Sequence, residues 1–84
     1  MDTYVVTYDL REGINHEKLE HTINSFSGAE RQQGSTWLFY ATGDVSHIIT
    51  VLQGGIDNGG DVLLVDLKNQ HLHKIINKQH LQIV

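Results

Sequence analysis

The chain contains no cysteine and no proline. Without cysteine there are no disulfides and no thiolate metal ligands. That fits a reducing compartment, so a cytoplasmic location is the expectation. Without proline, breaks and turns must be read from glycine, asparagine and aspartate. No apolar run approaches the roughly 20 residues needed to cross a bilayer, so no membrane partner is expected. The opening residues, Met1-Asp2-Thr3-Tyr4, lack the basic segment that begins a signal peptide. Positive charge is also scarce. Six Lys and Arg against ten Asp and Glu give a net charge of −4, which disfavours a protein that coats duplex DNA by neutralising phosphates. A focused site for a short strand or a nucleotide stays open.

What is present is a small folded chain. Hydrophobic residues make up 39% and charged residues 19%, which excludes disorder. Its 84 residues suffice for one domain, residues 1–84. A domain of this size buries only roughly 60% of its unfolded surface. With no disulfide, the remaining stability must come from packing, a metal or a second chain, and a homodimer is expected.

Tyr4-Val5-Val6-Thr7-Tyr8-Asp9-Leu10 is rich in β-branched and aromatic residues and apolar on both faces, the pattern of a central strand. Arg11-Glu12-Gly13 breaks it. Asn15 then suits a helix N-cap, with Ile14 and Leu19 spaced as a hydrophobic staple. Leu19, Ile23 and Phe26 form one apolar stripe, and Gly28 suits the helix end. Residues 29–33 read as extended, Gly34-Ser35 as a turn, and Thr36–Ala41 as a strand. Asp44 is a second N-cap. Val45, Ile48, Ile49 and Leu52 recur at helical spacing until Gly54-Gly55. Asp57–Asp61 is a turn, and Val62–Leu67 is a fourth strand.

The order strand, helix, strand, strand, helix, strand predicts an α+β, ferredoxin-like βαββαβ domain. Its four-stranded antiparallel sheet would have the spatial order four, one, three, two, with both helices on one face. The other face would carry Val5 and Thr7 and serve as a dimerisation surface. The core spans residues 3–67. The tail, residues 68–84, reads as a short helix around Leu72, Ile75 and Ile76. A strand around Leu81 and Ile83 would follow it, able to pair with a sheet edge.

Asp9 is the leading candidate for chemistry. It ends the first strand on the open face, at the end of the sheet where Asp61, Ser35 and Thr36 also fall. In a twofold dimer the two Asp9 side chains would face each other across the interface. Paired carboxylates with open water positions suit Mg²⁺, which takes one or two carboxylates together with substrate phosphates. Such a metal supports phosphodiester cleavage. An aspartate that ends a strand can equally satisfy turn amides. Arg11, Lys18 and Arg31 are candidate phosphate contacts, with Tyr8, Ser35 and Thr36 completing a candidate ligand-binding set. Trp37 and Tyr40 could stack on a base, but parity puts them on opposite faces, and at least one belongs to the core. The six histidines include His71, His73 and His80. With no cysteine and no His-Glu-x-x-His pattern they read as solvated surface groups, able to confer sensitivity to pH near 6 to 7.

The stretch Tyr4–Leu10 resembles the opening strand of the small CRISPR-associated family known as Cas two. Gln33-Gly34-Ser35-Thr36-Trp37-Leu38 is similar to that family's glutamine, any residue, serine, valine-phenylalanine stretch. The likeness covers roughly residues 3–67. It implies a homodimer of ferredoxin-like protomers and a metal-binding aspartate matching Asp9, used by some members as a nuclease; others are scaffolds for DNA. Two features depart from the pattern. Only Arg11 and Lys18 are basic where the family carries more positive charge, and the glutamate usual after the serine motif is missing. A non-enzymatic module holding a nucleotide or cyclic nucleotide, or a protein-interaction adaptor or inhibitor, is the alternative.

Overall fold

The computed structural model of the protein describes residues 1–10, 16–56 and 60–84. Among them are β1 (Asp2–Leu10), α1 (His16–Asn24), β2 (Ser27–Gln33), β3 (Thr36–Ala41), α2 (Val45–Gly55), β4 (Gly60–Asp66), β5 (His71–Ile76) and β6 (Gln79–Gln82). The Asn15 cap, the Ile14 staple, Arg11 and most of the Asp57–Asp61 turn lie outside the described residues. No helix among the described residues is long and apolar enough to cross a membrane.

All strands join one antiparallel sheet in the order β2-β3-β1-β4-β5-β6. The first four strands keep the expected relative order. The ferredoxin-like, four-stranded sheet is nevertheless corrected, because the sheet has six strands. The tail supplies the other two as a hairpin laid along β4. The helix expected around Leu72, Ile75 and Ile76 is strand β5. Those three residues have helical spacing, but the whole segment alternates: His73 and Ile75 are buried, while Leu72, Lys74 and Ile76 face the other way. Two turns enforce this reading. The β5–β6 connection is the two-residue turn Asn77-Lys78, with φ of 50° and 66°. Two consecutive left-handed residues define the type I′ turn, whose twist matches a hairpin. The β4–β5 turn is fastened by Asp66, whose carboxylate accepts from Asn69 N (3.2 Å) and Asn69 Nδ2 (2.8 Å).

Period-two alternation sorts the sheet into two faces. Tyr4, Val6 and Tyr8 of β1, Trp37 and Phe39 of β3, Val62 and Leu64 of β4 and Ile75 of β5 point one way and are buried. They pack under Leu19 and Ile23 of α1 and Ile48, Ile49 and Leu52 of α2. Asp44 caps α2, its Oδ1 accepting from Ser46 N at 3.1 Å. Gly55 closes that helix where a Cβ would lie 2.5 Å from Thr22 Oγ1, so α1 and α2 approach closely only because the residue is glycine.

α1 ends at Asn24, before Phe26 and Gly28. Phe26 leaves the expected helical stripe and stacks on Phe39, centroids 4.3 Å apart. Gly28 lies in β2 at φ 63°, where a Cβ would meet the Tyr40 ring at 2.6 Å. Trp37 is buried and Tyr40 is 40% exposed, on opposite faces as parity requires.

The second face carries Val5, Leu38, Leu63, Val65, Leu72 and Ile76, all half-buried. Leu81 joins them at 50% exposure, opposite Lys74 in the ladder. Among the described residues no helix covers this face.

Candidate functional site

Alternation along β1 sends Tyr8 and Asp9 to opposite faces at the same end of the sheet, and two cavities meet there. One, of about 240 Å³, is lined by Thr7, Tyr8, Asp9, Asp61, Val62, Leu63 and Lys74. The other, of about 390 Å³, is lined by Tyr8, Asp9, His16, Glu20, Arg31, Gly34 and Ser35. Tyr8 and Asp9 belong to both.

On the helix side the polar groups satisfy one another. Tyr8 Oη donates to Glu20 Oε2 at 2.5 Å, and the same oxygen accepts from Arg31 Nη2 at 2.7 Å. Arg31 Nη1 donates to the Gly34 carbonyl at 2.7 Å, and its guanidinium lies 4.8 Å from the Trp37 ring centroid. His16 meets Tyr8 edge-on, at 6.0 Å between centroids. Burial, and then the Glu20 carboxylate, push the Tyr8 phenol above its ordinary value. The Tyr8 hydrogen bond holds the Glu20 carboxyl below the usual range, with Arg31 adding to the effect. Tyr8 therefore stays protonated and Glu20 ionised at neutral pH. Neither is a poised base, and the Arg31 charge is already matched. The cluster works as a brace between α1, β1, β2 and β3. The Trp37 Nε1–H beneath it is buried without a hydrogen-bond partner among the described residues.

The open face is different. Asp9 and Asp61 are direct partners in the β1–β4 ladder, which places their Cβ atoms about 5 Å apart. Asp9 is exposed and Asp61 half-buried. Two carboxylates so placed repel each other unless a cation intervenes. Lys74 stands one strand further on, opposite Leu63, and lines the same cavity. Thr7 and Thr36 face each other across the β1–β3 ladder, the Thr36 hydroxyl donating to Thr7 Oγ1 at 3.2 Å.

Of the residues singled out from the sequence, Tyr8, Asp9, Arg31 and Ser35 line one cavity. Thr36 is committed to Thr7. Lys18 is exposed on α1 and lines neither cavity. Arg11 lies outside the described residues. Three lining residues escaped the sequence reading. His16 and Glu20 are spaced i, i+4 on α1 and share a face, a signal visible in the sequence. Lys74 was hidden by taking its segment for a helix. Among the described residues no three His, Asp or Glu side chains converge as a metal-binding group. Asp9 and Asp61 make a pair, which suffices for Mg²⁺ because that ion keeps several waters and binds through one or two carboxylates.

The histidine reading needs correction at one position. His73 is not a solvated surface group: it is 1% exposed, beneath the β5–β6 hairpin.

The chain matches no protein-family model, no curated protein and no solved structure.

Proposed function

We propose that the protein is a homodimer handling a nucleotide or a short nucleic-acid strand through Mg²⁺ held at Asp9, with phosphodiester cleavage as the reaction. The Cas two resemblance suggests this reading, and one observation carries it: the direct pairing of Asp9 with Asp61 where two cavities meet. The two carboxylates offer hard oxygen donors on one side and leave the other side open to water and phosphate. A bound ion would neutralise phosphate charge and acidify a coordinated water. The protein's own part is to orient and to bind. Asp9 and Asp61, partners on neighbouring strands, would hold the ion. Lys74 sets a positive charge beside the narrower cavity, and the Ser35 hydroxyl can donate to a phosphate oxygen in the wider one. The half-buried apolar face flanking Asp9 is the surface through which two copies would join.

A second reading has an observation in its favour. Arg31 is matched by Glu20 and the Gly34 carbonyl, so its charge is not free to grip a polyanion. A non-enzymatic module that sequesters a single nucleotide needs less positive charge.

Thermal unfolding with Mg²⁺, Mn²⁺, nucleotides and short oligonucleotides, on wild type and Asp9→Asn, separates the two. A stabilisation by metal that Asp9→Asn abolishes, with oligonucleotide cleavage lost in the same variant, is the expected result. A nucleotide-dependent rise that is indifferent to metal and to Asp9 would replace the enzyme with the binding module. Cleavage that persists in Asp9→Asn would end the assignment of this residue.

A further inference from the structure

β6 is the least secured strand of the sheet. It is four residues long, exposed throughout, and reached through two residues held at positive φ. Beyond its backbone pairing with β5, which Ile83 and Val84 continue onto Leu72, two side-chain contacts hold β6 and its turn among the described residues. Gln53 Nε2 of α2 donates to the Lys78 carbonyl at 2.8 Å. The other contact joins His73 and His80, with Nδ1 of the first 2.9 Å from Nε2 of the second.

That second contact has a proton count built into it. A hydrogen bond between two imidazole nitrogens needs one N–H and one lone pair. A neutral pair satisfies this, and so does a pair carrying one extra proton. A doubly protonated pair sets two N–H donors against each other. His80 is exposed to water, and a charged His80 ring can still donate to His73. His73 cannot follow while it is enclosed. It is 1% exposed, and its Nε2 is buried without a hydrogen-bond partner among the described residues.

The surroundings do not rescue a charge there. His71 on β5 lies edge-on with its ring 6.1 Å away. Asp66 on β4 is the nearby carboxylate, but both its oxygens are committed to Asn69. Leu64 of β4 stands opposite His73 in the ladder. α2 contributes Ile48, Ile49 and Leu52 to the core and keeps His47 exposed.

We propose that His73 and His80 form a one-proton latch that holds β6 against β5, and that β6 detaches when both rings protonate, uncovering the β5 edge from His71 to Ile76. The direction follows from linkage. Burial, then His80 and His71, lower the His73 pKa in the closed state, with Asp66 opposing. The open state therefore binds the second proton more readily. The latch is at full strength above the ordinary imidazole value near 6.5. It weakens as pH falls from there towards the lowered value of the closed state. An uncovered strand edge is a template for pairing with another chain, so the latch governs whether one side of the sheet is blunt or adhesive.

Amide hydrogen exchange on the full chain, corrected for intrinsic pH dependence, tests the latch. The readout is the protection of residues 79–84, including Ile83, whose N–H is bonded to the Leu72 carbonyl at 2.7 Å. Between pH 7.5 and pH 5.5 that segment should lose up to about tenfold protection relative to β1 and β3, the most that one proton taken up near 6.5 by the open state supplies over that interval. His73→Phe, which keeps a ring in the pocket and removes the titration, should abolish the difference. His80→Gln should weaken it, and serves if the first variant does not fold. His47→Gln should leave it intact. Uniform loss of protection across the sheet, or a difference that survives both latch variants, would overturn the proposal. So would independent titration of both rings near 6.5 by NMR. A rise in β6 protection on adding Zn²⁺ at pH 7.5 that His80→Gln removes would replace the proton latch with a metal clip.

Discussion

Tyr8 shows how one hydroxyl can set the charge state of a neighbour. Its phenol and the Arg31 guanidinium meet on a single oxygen of Glu20, and that carboxyl is held ionised below the usual range. Tyr8→Phe removes the short bond and leaves Arg31 as the partner. A hydrogen bond to a charged group contributes about 1.5–3 kcal/mol when buried. The Glu20 side chain is 23% exposed, and water replaces part of the lost bond, so a loss of about 1 kcal/mol is expected. The sign of the pH effect is fixed. A carboxyl whose folded pKa is depressed stabilises above its unfolded value and loses that stabilisation as pH falls through the folded one. In Tyr8→Phe the Glu20 titration, followed by NMR, should move up towards 4.5. The stability gap between variant and wild type should then narrow in acid. An unmoved Glu20 titration would mean that Arg31 alone sets its charge.

At the scale of elements, the β5–β6 hairpin is the part whose turn chemistry is least favourable. Asn77 at φ 50° is a residue that tolerates the left-handed region, but Lys78 at φ 66° is not. Lys78→Gly should stabilise the protein by about 1 kcal/mol, the cost of holding a side-chain-bearing residue there. The contact from Gln53 is to the Lys78 carbonyl and survives the change. Chemical denaturation checks this, and a destabilised variant would show that the Lys78 side chain matters more than its backbone. The same hairpin marks where the sequence stops being legible. β1, β3 and β4 announce themselves through β-branched and aromatic runs, and α2 through its spacing and its Asp44 cap. In His71–Ile76 the apolar positions fit a helix as well as a strand, and the polar inward residue His73 breaks the alternation that would have decided for a strand. Asn77-Lys78 carries no glycine, so the I′ turn is not visible either. The candidate site was legible in part for a related reason. Asp9, Ser35 and Arg31 lie on elements whose topology could be read, whereas Lys74 lies on the hairpin that could not.

For the whole molecule the decisive asymmetry is between the two faces of the sheet. One is sealed by α1 and α2; the other exposes parts of Val5, Leu38, Leu63, Val65 and Leu72 across four adjacent strands. In a chain this short, with no disulfide, covering such a face is the largest stabilisation still to be gained. Packing against the same face of a second copy would bury it at about 10 Å between sheets. Each half-exposed aliphatic side chain covered in this way contributes about 1 kcal/mol. Val65 is the residue to perturb, because it pairs with Val5 on one side and Leu72 on the other, at the centre of the patch. Val65→Lys leaves the core untouched, since the side chain points away from both helices. Wild type should sediment as a dimer and melt at a temperature that rises with protein concentration, as mass action requires. Val65→Lys should sediment as a monomer with a lower, concentration-independent melting temperature. A wild type that stays monomeric, or a variant that dimerises unchanged, would remove the face-to-face dimer and with it the second copy from the proposed site. The Asp9–Asp61 pair, formed within one chain, would still stand for testing on its own.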